Sequence, residues 1–362
     1  LQRANLPVRL PRVTERNLMV DRQELLELAV ATAEEAGRML VDERPVGGPD
    51  VVQTKSSPTD VVTQMDRAAE RLIVERLLAA RPGDGLLGEE GASNEGTSGV
   101  RWVIDPIDGT VNYLYDLPDW AVSVAAQVDG ESVAGVVVIP RRGEVYSAVR
   151  GEGARLRTPD GKVRDLRVNT GVPLARALVA TGFGYEVGRR SHQGRVLGEV
   201  ITRVRDIRRS GSCCVDLCSL AAGRVDVYYE RGVQAWDVAA GSLIAVEAGA
   251  RVAGLNGDPM SPELVIAASP ELFAAFHDVL APLDPVRDDP ARARRRRLGR
   301  TGCSRRFGPD GFSRRTGPLQ SRGPGPLQPR DLERFSRGDA VRRSRDRRRS
   351  CEDRQSRPGV CR

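Results

Sequence analysis

After Leu283 the chain loses the means to build a core, and this bounds what the remainder can be. From Asp284 to Arg362 it carries 24 Arg, no Lys and 10 acidic residues, a net charge of +14, with Pro, Gly and Ser filling much of the rest. Large apolar residues are few there and no period survives, so the segment cannot bury enough surface to offset the entropy of ordering it. Any fold must come from the residues ahead of it. Those 283 residues hold 32 basic and 39 acidic side chains, a net of −7, so the +7 of the whole chain belongs to the tail alone. An acidic body suits a protein that gathers divalent cations and gives no electrostatic reason to bind an anionic polymer. The tail by itself reads as a nucleic-acid-binding arm. It also reads as a non-native extension of an arginine-biased coding sequence, in which the only lysines are Lys55 and Lys162.

The chain divides into an irregular lead-in (1–20), one domain (21–283) and a disordered tail (284–362). A hydrophobic share of 40% gives the domain an ordinary core. From Asp21 the pattern is helical, with Leu25, Leu28, Ala29, Ala33, Ala36 and Leu40 on one face. Residues 46–59 read as a loop. A second helix starts near Asp66, carries Ala69, Leu72, Ile73 and Leu77, and stops at Arg81-Pro82-Gly83. Strands follow at 101–104, 121–128, 133–139 and 144–150, the middle two joined by the hairpin signal Asp129-Gly130-Glu131. Then strands near 178–181, 207, 225–229 and 264–268 alternate with helices near 193–203, 214–222, 237–248 and 270–280. Hairpins beside alternating helices predict layered α and β structure, not a doubly wound parallel sheet.

Six cysteines do not make a disulfide framework in this chain. Cys213, Cys214 and Cys218 cluster among small residues, and Cys303, Cys351 and Cys361 lie in the Arg-rich tail. Cys214 and Cys218 read as a buried structural pair, since no second pair or nearby His completes a metal set. No apolar run approaches the ~20 residues of a membrane span. Residues 1–20 carry charges and no apolar stretch typical of a signal peptide, so the expectation is a reduced cytoplasm and no membrane contact.

The chemistry lies in the acids. Glu89 and Glu90 follow Gly88, and Asp105-Pro106-Ile107-Asp108-Gly109-Thr110 follows a short strand. Mg²⁺ takes oxygen ligands in near-octahedral array. Two carboxylates three apart at a strand end, with a carbonyl between them, can serve a shared pair of ions. The Gly109 and Thr110 N–H groups can then meet a phosphate oxygen. The plain alternative is a turn whose aspartates cap backbone groups. Haloacid-dehalogenase-type phosphatases need Asp-x-Asp-Gly-Thr with the first Asp as nucleophile, and here that position is Pro106. Further along, Asp237 stands where it would cap the helix to Ala248, and Asp66 where it would cap the second helix; either can also serve a metal site.

Lys55 to Asp66, Gly88-Glu89-Glu90, Trp102 to Asn112 and Trp236 to Gly249 together resemble the inositol monophosphatase family, in order and spacing, over about residues 21–270. Tyr229-Glu230 ahead of Trp236-Asp237 looks like the inositol-1-monophosphatases proper. The resemblance implies an αβαβα sugar-phosphatase fold with mostly antiparallel sheets, a homodimer, sensitivity to Li⁺ and two to three Mg²⁺. It implies that Glu89, Asp105, the Ile107 carbonyl, Asp108 and Asp237 bind the metals. Asp66 and Thr110 would hold and deprotonate the attacking water. Gly109 and Thr110 would bind phosphate, Gly211, Ser212 and Cys213 would line the substrate, and Glu230 would hydrogen-bond an inositol hydroxyl. Gln234 replaces a His found in some animal members, and Lys55 and Asp60 fall at supporting positions.

The implied reaction is hydrolysis of myo-inositol 1-phosphate by direct attack of water. His-based chemistry is disfavoured, because His192 and His277 lie outside every matching segment. The competing substrates are fructose 1,6-bisphosphate and a nucleotide 3′-phosphate. A regulatory or nucleic-acid-binding role through the tail is the competing class.

Overall fold

The computed structural model describes residues 21–55 and 61–289. The lead-in, Asp60, the tail from residue 290 and Cys303, Cys351 and Cys361 lie outside the described residues.

The first helix, α1 (Arg22–Asp42), opens where Asp21 accepts the Gln23 and Glu24 N–H groups at 3.0 and 3.1 Å. Its predicted stripe is the buried one: Leu25, Ala29, Ala33, Ala36 and Leu40 are fully covered. Within the stretch expected to be a loop, β1 (Val51–Thr54) forms a hairpin ribbon with β2 (Val61–Thr63). All four β1 residues are exposed, so the strand carries no alternating apolar signal that a sequence reading could find. Helix α2 (Gln64–Ala80) starts two residues before Asp66. Thr63 is its cap, and Asp66 sits at the third helical position, its carboxylate accepting the Thr63 N–H.

The large sheet then forms from β3 (Gly85–Gly88), β4 (Ser93–Asn94), β5 (Val100–Asp108), β6 (Ala121–Val128), β7 (Glu131–Ile139), β8 (Glu144–Val149), β9 (Ala154–Arg157) and β10 (Val163–Asp165). Its order is β10-β9-β8-β7-β6-β5-β3-β4, antiparallel except between β3 and β5. A five-residue helix, α3 (Thr110–Leu114), follows β5. The second half adds β11 (Leu178–Thr181), α4 (Val187–Val200), β12 (Asp206–Arg208), α5 (Cys213–Ala221), β13 (Val227–Glu230), α6 (Ala235–Glu247), β14 (Arg251–Ala253), β15 (Val265–Ala268) and α7 (Pro270–Leu280). The smaller sheet runs β12-β11-β13-β15-β14, parallel around β11 and antiparallel around β15. Helix α4 begins six residues before the expected start; its stripe is thin, with only His192, Val196 and Val200 buried.

The layers follow from which faces are apolar. Helices α1 and α2 cover one face of the large sheet, packing on Trp102, Ile104, Val122, Val124 and Val136. The other face and one face of the small sheet enclose α5 and α6, both apolar nearly all round. Helices α4 and α7 close the far side of the small sheet, where Phe273, Phe276 and Leu280 meet Val179, Val227 and Ile266. The result is the expected αβαβα layering. Cys213, Cys214 and Cys218 are buried free thiols inside it. No described helix is long and apolar enough to cross a membrane.

Candidate active site

Strand β5 makes the site possible by departing from regularity. In an unbroken strand, Asp105 and Asp108 are an odd number of residues apart and would point to opposite faces. Instead the pairing with β6 shifts: Asp105 faces Ser123 but Asp108 faces Ala121, leaving Pro106 and Ile107 as a bulge. A bulge also tolerates Pro106, which offers no N–H to the ladder. Both carboxylates thereby border one cleft of about 600 Å³. Gly109 then turns the chain into α3 at φ +98°, where a Cβ would stand 3.1 Å from the Asp119 carbonyl and 3.3 Å from that of Gly211. Only glycine meets both demands without strain.

Glu89 reaches the cleft from the turn after β3. Glu70 of α2 holds that turn, accepting the Glu90 N–H at 2.8 Å and the Ala92 N–H at 2.9 Å. A Cβ at Gly88 would collide with the Glu70 carboxylate, so Gly88 and Glu70 work as a pair. Lys55 pairs with Glu89 at 2.8 Å and Glu90 at 2.7 Å, and it borders the cleft itself, a more direct placement than the expected supporting one.

Asp237 comes from α6. The helix begins at Ala235, so Asp237 is not its cap but its third residue, accepting the Gln234 N–H at 2.7 Å. Asp66 stands in the same relation to α2. Each carboxylate is thus fixed by its own helix start while its other oxygen faces away from that bond. Asp108 is fixed differently: Oδ2 accepts the Ser212 hydroxyl at 2.7 Å and the Cys214 N–H at 2.5 Å, at the first turn of α5.

Of the residues singled out in the sequence, Glu89, Asp105, Ile107, Asp108, Gly109, Thr110, Gly211, Ser212, Cys213, Glu230 and Asp237 all line this one cleft. Asp66 does not. It lies behind the wall, 1% exposed, accepting the Thr110 hydroxyl at 3.1 Å and both the N–H and the hydroxyl of Thr63 at 2.8 and 2.5 Å. Thr110 also meets the Ile107 carbonyl at 3.2 Å. Glu230 lies across the cleft, accepting the Tyr228 hydroxyl at 3.0 Å, its carboxylate against Gly182 where no Cβ would fit. Glu70 and Gly182 were not legible in advance; a lone helical Glu and a strand-end Gly carry no local signal of such partners. Neither His borders the cleft.

The electrostatics of these acids are strained. Burial pushes the Asp105 carboxyl far above its ordinary range, and Glu89, Asp108 and Asp237 push it further. Asp237 is raised by burial and then by Asp108 and Glu89. Glu89 is raised by burial, though Lys55 pulls it down, and Asp108 by burial against the bonds from Ser212 and Cys214. Asp66 is lifted to about 6 and Glu230 to about 7, each mainly by burial. Among the described residues no three His, Cys, Asp or Glu side chains form a preassembled ligand cage. The four carboxylates stand instead as neighbours along the cleft. All-oxygen donors, buried or half-buried, fit hard divalent cations, whose charge would favour the ionised form that burial disfavours.

Fold and cleft thus describe a hydrolase-like pocket built on a layered α+β frame. The description "Inositol monophosphatase family" belongs to the family model that matches residues 21–282. The chain is 48% identical over 254 residues to the inositol-1-monophosphatase SuhB of Mycobacterium tuberculosis, covering 67% of this chain and 86% of that one. It is 38% identical over 266 residues to a Nus factor SuhB of Pasteurella multocida, covering 71% and 96%. The solved structure of Mycobacterium tuberculosis SuhB superposes with a TM-score of 0.63 at 42% identity, over 74% of this chain and 99% of that one. The chain belongs to the inositol monophosphatase family, and it is a phosphatase of that family.

Proposed function

We propose that the protein hydrolyses myo-inositol 1-phosphate to myo-inositol and phosphate with Mg²⁺ as cofactor, two to three ions being held by Glu89, Asp105, the Ile107 carbonyl, Asp108 and Asp237. The observation that carries this reading is the gathering of four carboxylates along one cleft, Asp105 and Asp108 buried and Glu89 and Asp237 half-buried, each with a raised pKa. When bound, the cations would lower the pKa of water and neutralise charge on the phosphoryl and leaving oxygens. The chain's own groups do the rest. Thr110 and Asp66 form a relay in which the carboxylate, already the acceptor of the Thr110 hydroxyl, takes the proton that an attacking water gives up. An acid lifted to about 6 is ionised at neutral pH yet basic enough for that task. The N–H groups of Gly109 and Thr110, at the start of α3, would bind phosphate oxygens. Gly211, Ser212 and Cys213 line the cleft beside them, and Glu230 would accept a polyol hydroxyl.

With no covalent nucleophile in this scheme, water attacks in line. Asp108→Asn tests it. The amide oxygen can still accept from Ser212 and Cys214, so the fold survives, while the charge that holds the cations is lost. Turnover with Mg²⁺ should fall below detection, and full activity in that variant refutes the assignment. A panel including fructose 1,6-bisphosphate and a nucleotide 3′-phosphate separates the proposed substrate from its same-fold rivals. The family resemblance also supports a homodimer, read by light scattering, and the three buried free thiols support a reducing cytoplasm.

A further inference from the structure

The described chain runs six residues beyond Leu283, and those residues are tied to the body. The Asp284 carbonyl lies 2.7 Å from His192 Nε2, and Arg195 pairs with Asp289. Asp288 is the residue of consequence. Its Oδ1 lies 2.6 Å from Arg231 Nη1 and 3.6 Å from Arg189 Nε. Both arginines border the cleft. The Arg231 side chain is only 7% exposed, and its other acidic partner, Glu263 at 3.3 Å, is 67% exposed. The Nε atoms of Arg231 and Arg189 are both buried without a hydrogen-bond partner. Such a pair of guanidinium groups holds more donors than Asp288 satisfies.

Arg189 occupies a slot made for it. A Cβ on Gly184 would stand 2.6 Å from its Cδ, and one on Gly232 would stand 2.8 Å from its Nη1. Gly232 lies two residues after Glu230, so this slot is at the end of the cleft where the polyol would rest. We infer that Arg189 is an anion subsite at the polyol end of the cleft, with Asp288 its built-in competitor, so that the pair selects monophosphates over substrates bearing a second phosphate. The inference rests on the phosphomonoesterase reading above. A carboxylate in place neutralises the subsite, which suits an uncharged ring; with it gone, two guanidinium groups with spare donors face any second phosphate.

The test compares full-length wild type, Asp288→Asn and the double variant Asp288→Asn/Arg189→Ala on myo-inositol 1-phosphate and fructose 1,6-bisphosphate with saturating Mg²⁺. Asparagine keeps an oxygen for Arg231, so the strap stays in place. Removing one charge beside the slot should raise the bisphosphate-to-monophosphate ratio of kcat/KM by about tenfold, chiefly through KM. The gain should shrink with added salt and vanish in the double variant. An unchanged ratio, a parallel fall on both substrates, or a gain that survives the loss of Arg189 overturns the inference. Should wild type hydrolyse neither compound, the functional reading fails on its own, and the subsite is read by thermal shift. Greater stabilisation of Asp288→Asn than of wild type by fructose 1,6-bisphosphate supports the inference, and equal stabilisation overturns it.

Discussion

Asp66 offers a measurable conflict between stability and function. Burial lifts its carboxyl from 3.8 to about 6, against the pull of hydrogen bonds from Thr63 and Thr110. The folded protein therefore holds this proton more tightly than the unfolded chain does. The resulting stabilisation is fully present below pH 3.8 and is lost as the pH rises through about 6. Lifting the group that far costs about 3 kcal/mol of stability once it is ionised. Asp66→Asn removes the charge but keeps the framework. Its carbonyl can accept the Thr63 N–H, and its amide can donate to the Thr110 oxygen while Thr110 keeps Ile107 as acceptor. The metal-free variant should be more stable than wild type by up to about 3 kcal/mol at pH 8, or roughly 6–12 °C in Tm for a domain of this size. The two should converge near pH 4. Thermal unfolding by circular dichroism in EDTA across that range reads the difference. The other raised carboxylates act alike on both proteins, so they cancel. The same variant should lose about 10²–10⁴-fold in Mg²⁺-dependent kcat if Asp66 takes the water's proton. Parallel pH–stability curves, or a less stable variant at pH 8, would refute the reasoning about burial; retained kcat would refute the relay.

Two further substitutions probe how the site is held. Gly109→Ala puts a Cβ at φ +98° and 3.1 Å from the Asp119 carbonyl. It should cost about 1–3 kcal/mol in denaturant unfolding and impair phosphate release and binding together; a variant as stable as wild type would show that the turn relaxes freely. Glu70→Ala strips the acceptor from the Glu90 and Ala92 N–H groups. It should raise the Mg²⁺ concentration for half-maximal activity by about tenfold or more, since each bond freed costs about 1 kcal/mol of loop order. An unshifted Mg²⁺ titration would show that Glu89 needs no such support.

Much of the frame was legible because it is periodic. The α1 stripe and the hairpin at Asp129-Gly130 needed only local pattern, and both stand where they were expected. The β1–β2 ribbon escaped because its strands are short and β1 is exposed on every residue. The starts of α2 and α6 were placed too late for a common reason. In both, the acid chosen as cap is the third helical residue, and the residue three places earlier, Thr63 or Gln234, closes the reciprocal pair. The tail boundary drawn at Asp284 reflected composition, and composition does not register the ion pairs that hold 284–289 to α4 and Arg231.

By itself the sequence determined the chemical inventory: which oxygen donors exist, their spacing within each segment, and Pro106 where a haloacid-dehalogenase-type motif needs its Asp. It also disfavoured His-based chemistry, and neither His192 nor His277 borders the cleft. Only the tertiary structure decided how those donors meet. The β5 bulge turns Asp105 and Asp108 to one side, Glu70 presents Glu89 from another strand, and α6 delivers Asp237 from more than a hundred residues away. The structure alone also placed Asp66 behind Thr110, out of the cleft, and Asp288 against its arginines. The physical reason is that burial and proximity raise these acids and pair these charges, and neither is a property of any short stretch of chain.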